Sequence, residues 1–152
     1  MSDPHARLAA LGLTLPKVVA PVAAYVPAVR TGSHVYVSGQ LPMVDGALPV
    51  TGKVGAEVSP EQARKLAARC ALNALAAVDD LVGLAAVTRV VKLTGFVASA
   101  PGFQGQPGVV NGASELFLEV FGDAGRHARS AVGVAELPLG APVEVEVIVE
   151  VA

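Results

Sequence analysis

The sequence predicts an α+β fold in which two helices cover one face of a mixed β-sheet. Three observations support this prediction. Residues 143–151 alternate strictly, with valine at every odd position and mostly glutamate at the even ones, which is typical of a strand with one buried face. Two segments, around 60–81 and 110–121, repeat apolar residues every three or four positions instead, as amphipathic helices do. Shorter strand patterns lie before, between and after these helices, so strands and helices belong to one layered domain.

The first part of the chain predicts a single regular strand. Residues 1–16 are a short N-terminal extension, and the domain spans 17–152. The apolar segment 18–29 contains two prolines, which cannot donate to a ladder, so it predicts an edge strand or an extended segment. Residues 34–40 alternate between apolar and polar and predict the first regular strand, with Gly39 on the same face as the two preceding valines.

A surface loop and a well-capped helix follow. Residues 43–55 contain Asp-Gly and Thr-Gly pairs, which favour turns with a positive φ. Ser59 is the expected N-cap of the helix, Pro at the next position suits its first turn, and Gln62 can complete a capping box. The helix should continue to about Leu81. Cys70 lies in the middle of its apolar stripe, which predicts a buried thiol.

The second half alternates strand, helix and two strands. Residues 88–98 predict a central strand, and the Gly- and Pro-rich segment 99–108 predicts a loop. The second helix ends at Gly122, which can serve as its C-cap. Residues 130–136 and 143–151 predict the last two strands.

The second face of the sheet lacks a predicted cover. The pattern offers no third helix, and hydrophobic residues make up 53% of the chain against 16% charged residues. We therefore expect this face to pack against other subunits.

Composition excludes several classes of function. The formal net charge is -2, aromatic residues are 4% and tryptophan is absent, so the composition disfavours nucleic acid as a partner. Apolar runs are too short for a membrane helix and the start does not resemble a secretory signal, which leaves a cytoplasmic protein as the default expectation. A single cysteine and three scattered histidines predict neither a disulfide nor a metal site.

The candidate chemistry lies near the end of the chain. Arg129 stands at the entrance of the fourth predicted strand, and Glu144 follows on the last one. An arginine can bind a small carboxylate through two parallel N–H groups, and a glutamate opposite it can position or deprotonate a water. The alternative is a solvated basic turn and a glutamate on an exposed strand face. Glu146 and Glu150 lie on the same face of the last predicted strand as Glu144. One interpretation is that these carboxylates form an acid/base pair or a cation site. The other is that some pair with basic residues across the sheet and the rest face water.

Four short motifs in the same order resemble the RidA/YjgF family, whose members also carry the labels endoribonuclease L-PSP and translation inhibitor. They are AYV at 24–26, VYVSGQLP at 35–42, ARS at 128–130, and LP at 137–138 leading to VEVE at 143–146. The resemblance covers about residues 18 to 152. It implies a Bacillus-type chorismate-mutase-like fold and a homotrimer with an inner β-barrel and sites between subunits. It also implies hydrolysis of reactive enamines or imines, such as 2-aminoacrylate, to 2-keto acids and ammonia without a metal or organic cofactor.

The resemblance assigns roles to individual residues. Arg129 corresponds to the arginine that binds the substrate carboxylate, and Glu144 to the glutamate associated with the attacking water. The resemblance implies Tyr25, Gly39 and Asn111 as substrate-binding residues. Ser38, beside Gly39, and Phe103, in the 99–108 loop where it could narrow the cleft, are further predicted substrate-binding residues.

Three departures from the family pattern indicate a divergent branch. Ala131 stands where a cysteine is frequent, His127 replaces the usual proline, and the 99–108 loop is long. Two other functions therefore stay open. One is a non-catalytic trimer that binds a metabolite or regulates a partner. The other is a ribonuclease or translation inhibitor, which only the family label suggests and which the acidic balance disfavours.

Overall fold

The computed structural model describes residues 3–18, 21 and 23–152, and this part of the chain forms one five-stranded sheet. The strands lie in the order β1-β2-β5-β3-β4. All neighbours are antiparallel except β3 and β4, which are parallel, so the sheet is mixed as predicted. The strands are β1 (Ala28–Thr31), β2 (His34–Gln40), β3 (Val87–Ala98), β4 (Ala128–Val134) and β5 (Val143–Val151).

Three α-helices accompany the sheet in the described residues: α1 (Pro4–Ala10), α2 (Pro60–Val82) and α3 (Gln106–Phe121). The α+β class is confirmed, but the expected number of two helices is wrong. The sequence signal for the third is Asp3 followed by Pro4. The Asp3 carboxylate accepts a hydrogen bond from the His5 amide and caps α1.

Helix α1 packs against α3 and the short 3₁₀ turn at Leu84–Ala86, with Leu8 buried in the core. It therefore lies with the helical layer and leaves the second face of the sheet uncovered. The boundary predicted between an extension and a domain at residue 16 stays a prediction.

Strand β5 forms the centre of the sheet and decides which face is buried. Its five valines point to the helical layer and are all buried, whereas the residues between them lie on the other face, as the period of two predicts. We call these two sides the helix face and the open face. Cys70 of α2 is fully buried and donates a long thiol hydrogen bond of 3.7 Å to the Val143 carbonyl, so the predicted buried thiol is confirmed.

Helix α2 begins as predicted. The Ser59 hydroxyl accepts from the Gln62 amide at 3.1 Å, and the Gln62 side chain accepts from the Ser59 amide at 3.2 Å, which completes the capping box. The predicted stripe holds as far as Val78. Leu81 was also placed on it but is 44% exposed, because Val82, four residues after Val78, packs against the core in its place.

Several predicted boundaries are wrong by a few residues. In the segment 18–29, residues 19, 20 and 22 lie outside the described residues, and regular pairing starts only at Ala28. Helix α3 starts at Gln106, inside the predicted 99–108 loop, since Pro107 occupies a first turn where its missing N–H is not needed. Strand β4 runs two residues earlier than predicted, because its parallel pairing with β3 begins at Ala128.

Helix α3 approaches the sheet and α2 closely at two glycines. A Cβ at Gly95 of β3 would collide with Val110, and one at Gly112 of α3 would collide with the backbone carbonyl of Arg64. The two glycines therefore let α3 settle into the angle between β3 and α2. This seating places the N-terminal half of α3 beside β4.

The open face carries apolar side chains without a helix above them in the described part of the chain. Val29 and Tyr36 face each other across β1 and β2, and Val132 lies at the opposite edge, all three exposed. Phe96 and Ile148 between them are half-buried. Among the described residues no helix is long and apolar enough to cross a membrane.

Candidate functional site

Arg129 is the second residue of β4 and points to the helix face. Its register partner on β3 is Leu93, which is buried in the core, and paired residues share a face. The guanidinium therefore extends towards α3, where Nη1 donates to the Asn111 side-chain oxygen at 2.8 Å and to the Ser114 hydroxyl at 3.1 Å. Nη2 donates to the Pro107 carbonyl at 3.2 Å. The first turns of α3 thus hold this side chain in one place.

The hydrogen bonds of Arg129 leave one edge of the guanidinium open. The group has five N–H donors, and the three bonds to α3 use both on Nη1 and one on Nη2. Within the described residues the Nε–H and the second Nη2–H have no acceptor. These two nitrogens lie side by side on one edge of the fork, at the spacing that a carboxylate accepts with two oxygens.

Asn111 and Ser114 reach Arg129 together because residues three apart lie on one face of a helix. The structure places Asn111 beside Arg129, and its role in substrate binding stays a prediction. Ser114 was missed. Its signal was the spacing of three from Asn111, which is weak without knowing that this face of α3 meets β4.

Glu144 lies on the open face of β5. Its register partner is Phe96, which in turn pairs with Val132, so the carboxylate stands beside an aromatic ring at the end of a partly apolar row. Burial, followed by the negative charge of Glu146, raises the pKa of Glu144 above its ordinary value. A carboxylate in such surroundings accepts a proton more readily than a solvated one.

Arg129 and Glu144 do not meet within one chain. They are two strands apart and three residues out of register, which corresponds to roughly 14 Å between Cα atoms, and their side chains point to opposite faces of the sheet. The expectation that the glutamate stands opposite the arginine is therefore wrong for a single copy. Periodicity within each strand could not reveal this, because the relative face depends on the pairing of both strands with β3.

Gly39 lies directly under the Glu144 carboxyl group. A β-bulge in β2 places both Ser38 and Gly39 opposite one residue of β5, so Gln40 pairs with Val145 on the helix face. A Cβ on Gly39 would come within 2.7 Å of Glu144 Oε1. The predicted sharing of a face by Gly39 and the preceding valines is wrong, because the bulge shifts the alternation by one residue.

Ser38 and Tyr25 belong to the same side of the molecule as Gly39. The Ser38 hydroxyl donates to the Val26 carbonyl at 2.6 Å, and its amide donates to the Pro27 carbonyl at 2.9 Å, which ties the segment after Tyr25 to β2. The Tyr25 side chain is 57% exposed.

Tyr25 and Gly39 line a cavity of about 850 Å³ between β2, the loop after it and α2. Arg69 and Asn73 of α2 form part of its wall and also donate to the Met43 carbonyl, which anchors that loop. The residues lining this cavity include neither Arg129 nor Asn111. The predicted site residues therefore form two half-sites, one around Arg129 and one around Gly39 and Glu144.

Phe103 packs inside its own loop. Its ring lies against the backbone of Gly55 and Gly105, where any added Cβ would contact it at 3.2 and 2.8 Å, and its carbonyl accepts from the Gln106 side chain. This contact fixes the loop just before the first turn of α3, which carries Pro107. The role of Phe103 in narrowing a cleft stays a prediction.

No group of three or more His, Cys, Asp or Glu side chains within the described ranges is arranged to hold a metal ion. Glu144, Glu146 and Glu150 share the open face as predicted.

Comparison with known proteins places the chain among relatives of similar length. It is 48% identical to Protein TCP17 of Trypanosoma cruzi over 95% of this chain and 92% of the relative. It is 35% identical to the 2-iminobutanoate/2-iminopropanoate deaminase of Dermatophagoides farinae, over 90% of this chain and 93% of that protein. The crystal structure of Atu1372 from Agrobacterium tumefaciens, a protein described as of unknown function, superposes with a TM-score of 0.90 at 48% identity, covering 97% of this chain and 91% of that one.

A mixed sheet with helices on one face and a strand-borne arginine held by a helix defines an α+β protein with a fixed guanidinium beside α3. Residues 5–151 match the model of the family described as "YjgF/chorismate_mutase-like, putative endoribonuclease". The chain belongs to this YjgF family, as its sequence motifs predicted.

Proposed function

We propose that this protein hydrolyses small enamines or imines that carry a carboxylate, such as 2-aminoacrylate and its imine tautomer, to 2-keto acids and ammonia. The observation that carries the proposal is the open edge of Arg129. Its other donors are held by α3, so the Nε–H and the second Nη2–H, which have no acceptor in the described part of the chain, are oriented before a ligand arrives. The deaminase named among the relatives supports the same reaction class.

The complete site forms between two copies of the chain. Arg129 and Asn111 belong to one half-site and Tyr25, Gly39 and Glu144 to the other, and within a single chain the Arg129 and Glu144 side chains point to opposite faces of the sheet. A homotrimer in which the open faces line an inner barrel buries the exposed apolar side chains. It also brings the Arg129 edge of one copy towards the Glu144 edge of the next.

The proposed reaction needs orientation and one water. With the carboxylate bound to Arg129, the imine carbon is already electrophilic, and Glu144 of the neighbouring copy removes a proton from the water as it adds. The adduct carries a hydroxyl and an amino group on one carbon. Glu144 first returns the water proton to the nitrogen, which makes the amino group, and then transfers the hydroxyl proton to the same nitrogen, so that the C–N bond breaks, the C=O bond forms, and ammonia and the keto acid leave. The raised pKa of Glu144 suits a group that accepts and returns a proton.

Ammonia release from 2-aminoacrylate generated in the assay by a dehydratase tests the proposal. Arg129→Ala should reduce kcat/KM by about 100-fold, since a charge-assisted, two-point contact is lost. Arg126→Ala is the matched control, because Arg126 is exposed and pairs only with Asp123 at 3.6 Å within the described residues. A wild-type rate equal to the spontaneous rate, or an Arg129→Ala variant as active as the control, contradicts the proposal.

Mixed oligomers test whether the site is shared. Co-expression of Arg129→Ala and Glu144→Gln, each with strongly reduced activity alone, should restore about a quarter of the wild-type sites if each site takes one residue from each of two copies. No restoration in mixed oligomers would place both residues in the same copy.

The second candidate function is that of a metabolite-binding protein. The separation of Arg129 from Glu144 within one chain favours this function if the assembly does not bring the two half-sites together. Calorimetry that detects 2-oxobutanoate binding dependent on Arg129, together with no ammonia release, would identify that function. Cleavage of RNA by the wild type and not by Glu144→Ala would identify a ribonuclease instead.

A further inference from the structure

A line of hydrogen bonds continues from Arg129 into the protein, away from its open edge. The Ser114 hydroxyl that accepts from Arg129 Nη1 is also 2.9 Å from His127 Nε2. The other ring nitrogen, His127 Nδ1, is 2.6 Å from the Gly125 carbonyl oxygen. Four groups thus follow one another from the guanidinium to the backbone of the turn before β4.

The direction of each hydrogen bond follows from the last acceptor. A carbonyl oxygen can only accept, so Nδ1 of His127 carries the hydrogen, and in the neutral ring Nε2 is left with its lone pair. The Ser114 hydroxyl then donates to Nε2 and keeps its own lone pairs for the Arg129 N–H. Serine is oriented by histidine, and the guanidinium is oriented by serine.

The far end of this line is rigid. The His127 ring packs edge-on against Phe117, with ring centroids 5.9 Å apart and an angle of 88°, and Phe117 is fully buried. Gly125 lies against the carbonyl of Phe117 so closely that a Cβ would collide with it. The turn therefore cannot move without disturbing the core side of α3.

We propose that Ser114 and His127 are positioning residues for the substrate carboxylate, acting through Arg129. The Asn111 side-chain oxygen and the Pro107 carbonyl also accept hydrogen bonds from the guanidinium. Either bond alone would still allow the guanidinium to tilt. The Ser114 hydroxyl, oriented by His127, holds the guanidinium at a third point. This third hydrogen bond keeps the open Nε–Nη2 edge directed away from α3. The proposal rests on the proposed function in that it names the same arginine as the carboxylate ligand. It adds two residues that the family motif does not contain, since His127 stands where the resembled pattern has proline.

Calorimetry with 2-oxobutanoate measures the effect without requiring turnover. Ser114→Ala should weaken binding about five- to twentyfold, because one oriented bond to a charged group is lost. Ser114→Thr keeps the hydroxyl and should restore most of the affinity. His127→Phe keeps the ring contact with Phe117 and removes both nitrogens, so it should weaken binding to a similar degree. Ser33→Ala, which removes an exposed hydroxyl in the turn between β1 and β2, should bind as the wild type does.

NMR of the imidazole provides a readout that a purely structural role would not change. Long-range ¹H–¹⁵N spectra should show His127 with hydrogen on Nδ1. The Nε2 resonance should shift when 2-oxobutanoate binds to the wild type and should not respond in Ser114→Ala. In the ammonia assay the same variants should raise KM more than they lower kcat.

The outcomes separate the two proposals. If the variants lose affinity as expected while no protein releases ammonia, the positioning role stands and the deaminase function fails. If the wild type deaminates and both Ser114→Ala and His127→Phe bind 2-oxobutanoate as tightly as it does, the positioning role is overturned. A wild type that does not bind 2-oxobutanoate, or an Arg129→Ala variant that binds it unchanged, overturns it too.

Discussion

At Glu144, burial and the neighbouring Glu146 carboxylate both favour the protonated acid, so the pKa of Glu144 is raised. The proposed base must be ionised to work. Activity should therefore fall on the acid side at a higher pH than an ordinary glutamate, with a pKa of about 4.3, would give.

Replacing Glu146 by Gln should move this acid limb to lower pH. The substitution removes the second cause of the raised pKa and leaves burial, the first cause, in place. A pH profile of kcat/KM measures the shift, with Glu150→Gln as the control four residues further along β5 on the same face. If the acid limb does not move, or moves equally in the control, it does not report the ionisation of Glu144.

Gly39→Ala should displace the Glu144 carboxyl group. The new Cβ would lie within 2.7 Å of Oε1 and 2.9 Å of Cδ, so the side chain must turn away, whereas φ at this position is one that alanine adopts. We expect a loss of about tenfold in kcat with little loss of stability. In the Glu144→Gln background the loss should largely disappear, because the group being displaced no longer acts as a base. Equal losses in both backgrounds would show that Gly39 acts independently of Glu144.

At the scale of the element, α3 is the part that joins the Arg129 half-site to the core. Its apolar period predicts a helix, and the glycine after Phe121 ends it as expected. Its angle to the sheet is set by contacts that no local pattern contains, since Gly95 and Gly112 meet Val110 and Arg64 from distant segments.

Gly112→Ala should destabilise the protein by about 1–3 kcal/mol, because α3 must shift away from the Arg64 carbonyl. Gly108→Ala in the same helix meets open space and should be neutral or stabilising by up to about 1 kcal/mol from helix propensity. Urea unfolding of both variants at one protein concentration makes the comparison. If the two variants are equally stable, a Cβ at position 112 is tolerated between α2 and α3, and the close approach of these helices does not require glycine there.

For the whole molecule, the proposed assembly through the open face would bring the two half-sites together. Val132→Asp places a charge on the exposed end of the Phe96 row and should shift the protein towards monomers in analytical ultracentrifugation, since an apolar interface does not accept an unpaired charge. Leu118→Asp is the matched control, with 40% exposure against 42% for Val132, but on α3 in the helical layer. Loss of assembly in the control alone would show that the subunits contact each other through the helical layer and not through the open face.

Sequence periodicity and capping were sufficient for the α+β class, for β2, β5 and the start of α2, and for the burial of Cys70. These features depend on spacing along one segment and on its immediate neighbours. Boundaries were less well predicted where pairing decided them, as at Ala128, where β4 begins because β3 accepts it there. Helix α1 had a local signal in Asp3 and Pro4, but its seven residues are too few for the apolar period to indicate a buried face.

The sequence by itself indicated Arg129, Asn111, Gly39 and Glu144, because the resemblance to one family assigns roles to these positions. Only the tertiary structure decided that these residues form two half-sites. The reason is that the face a strand residue occupies depends on its register with a neighbouring strand and on any bulge in between. The same holds for Ser114 and His127, which are thirteen residues apart in sequence and meet because α3 is packed against β4.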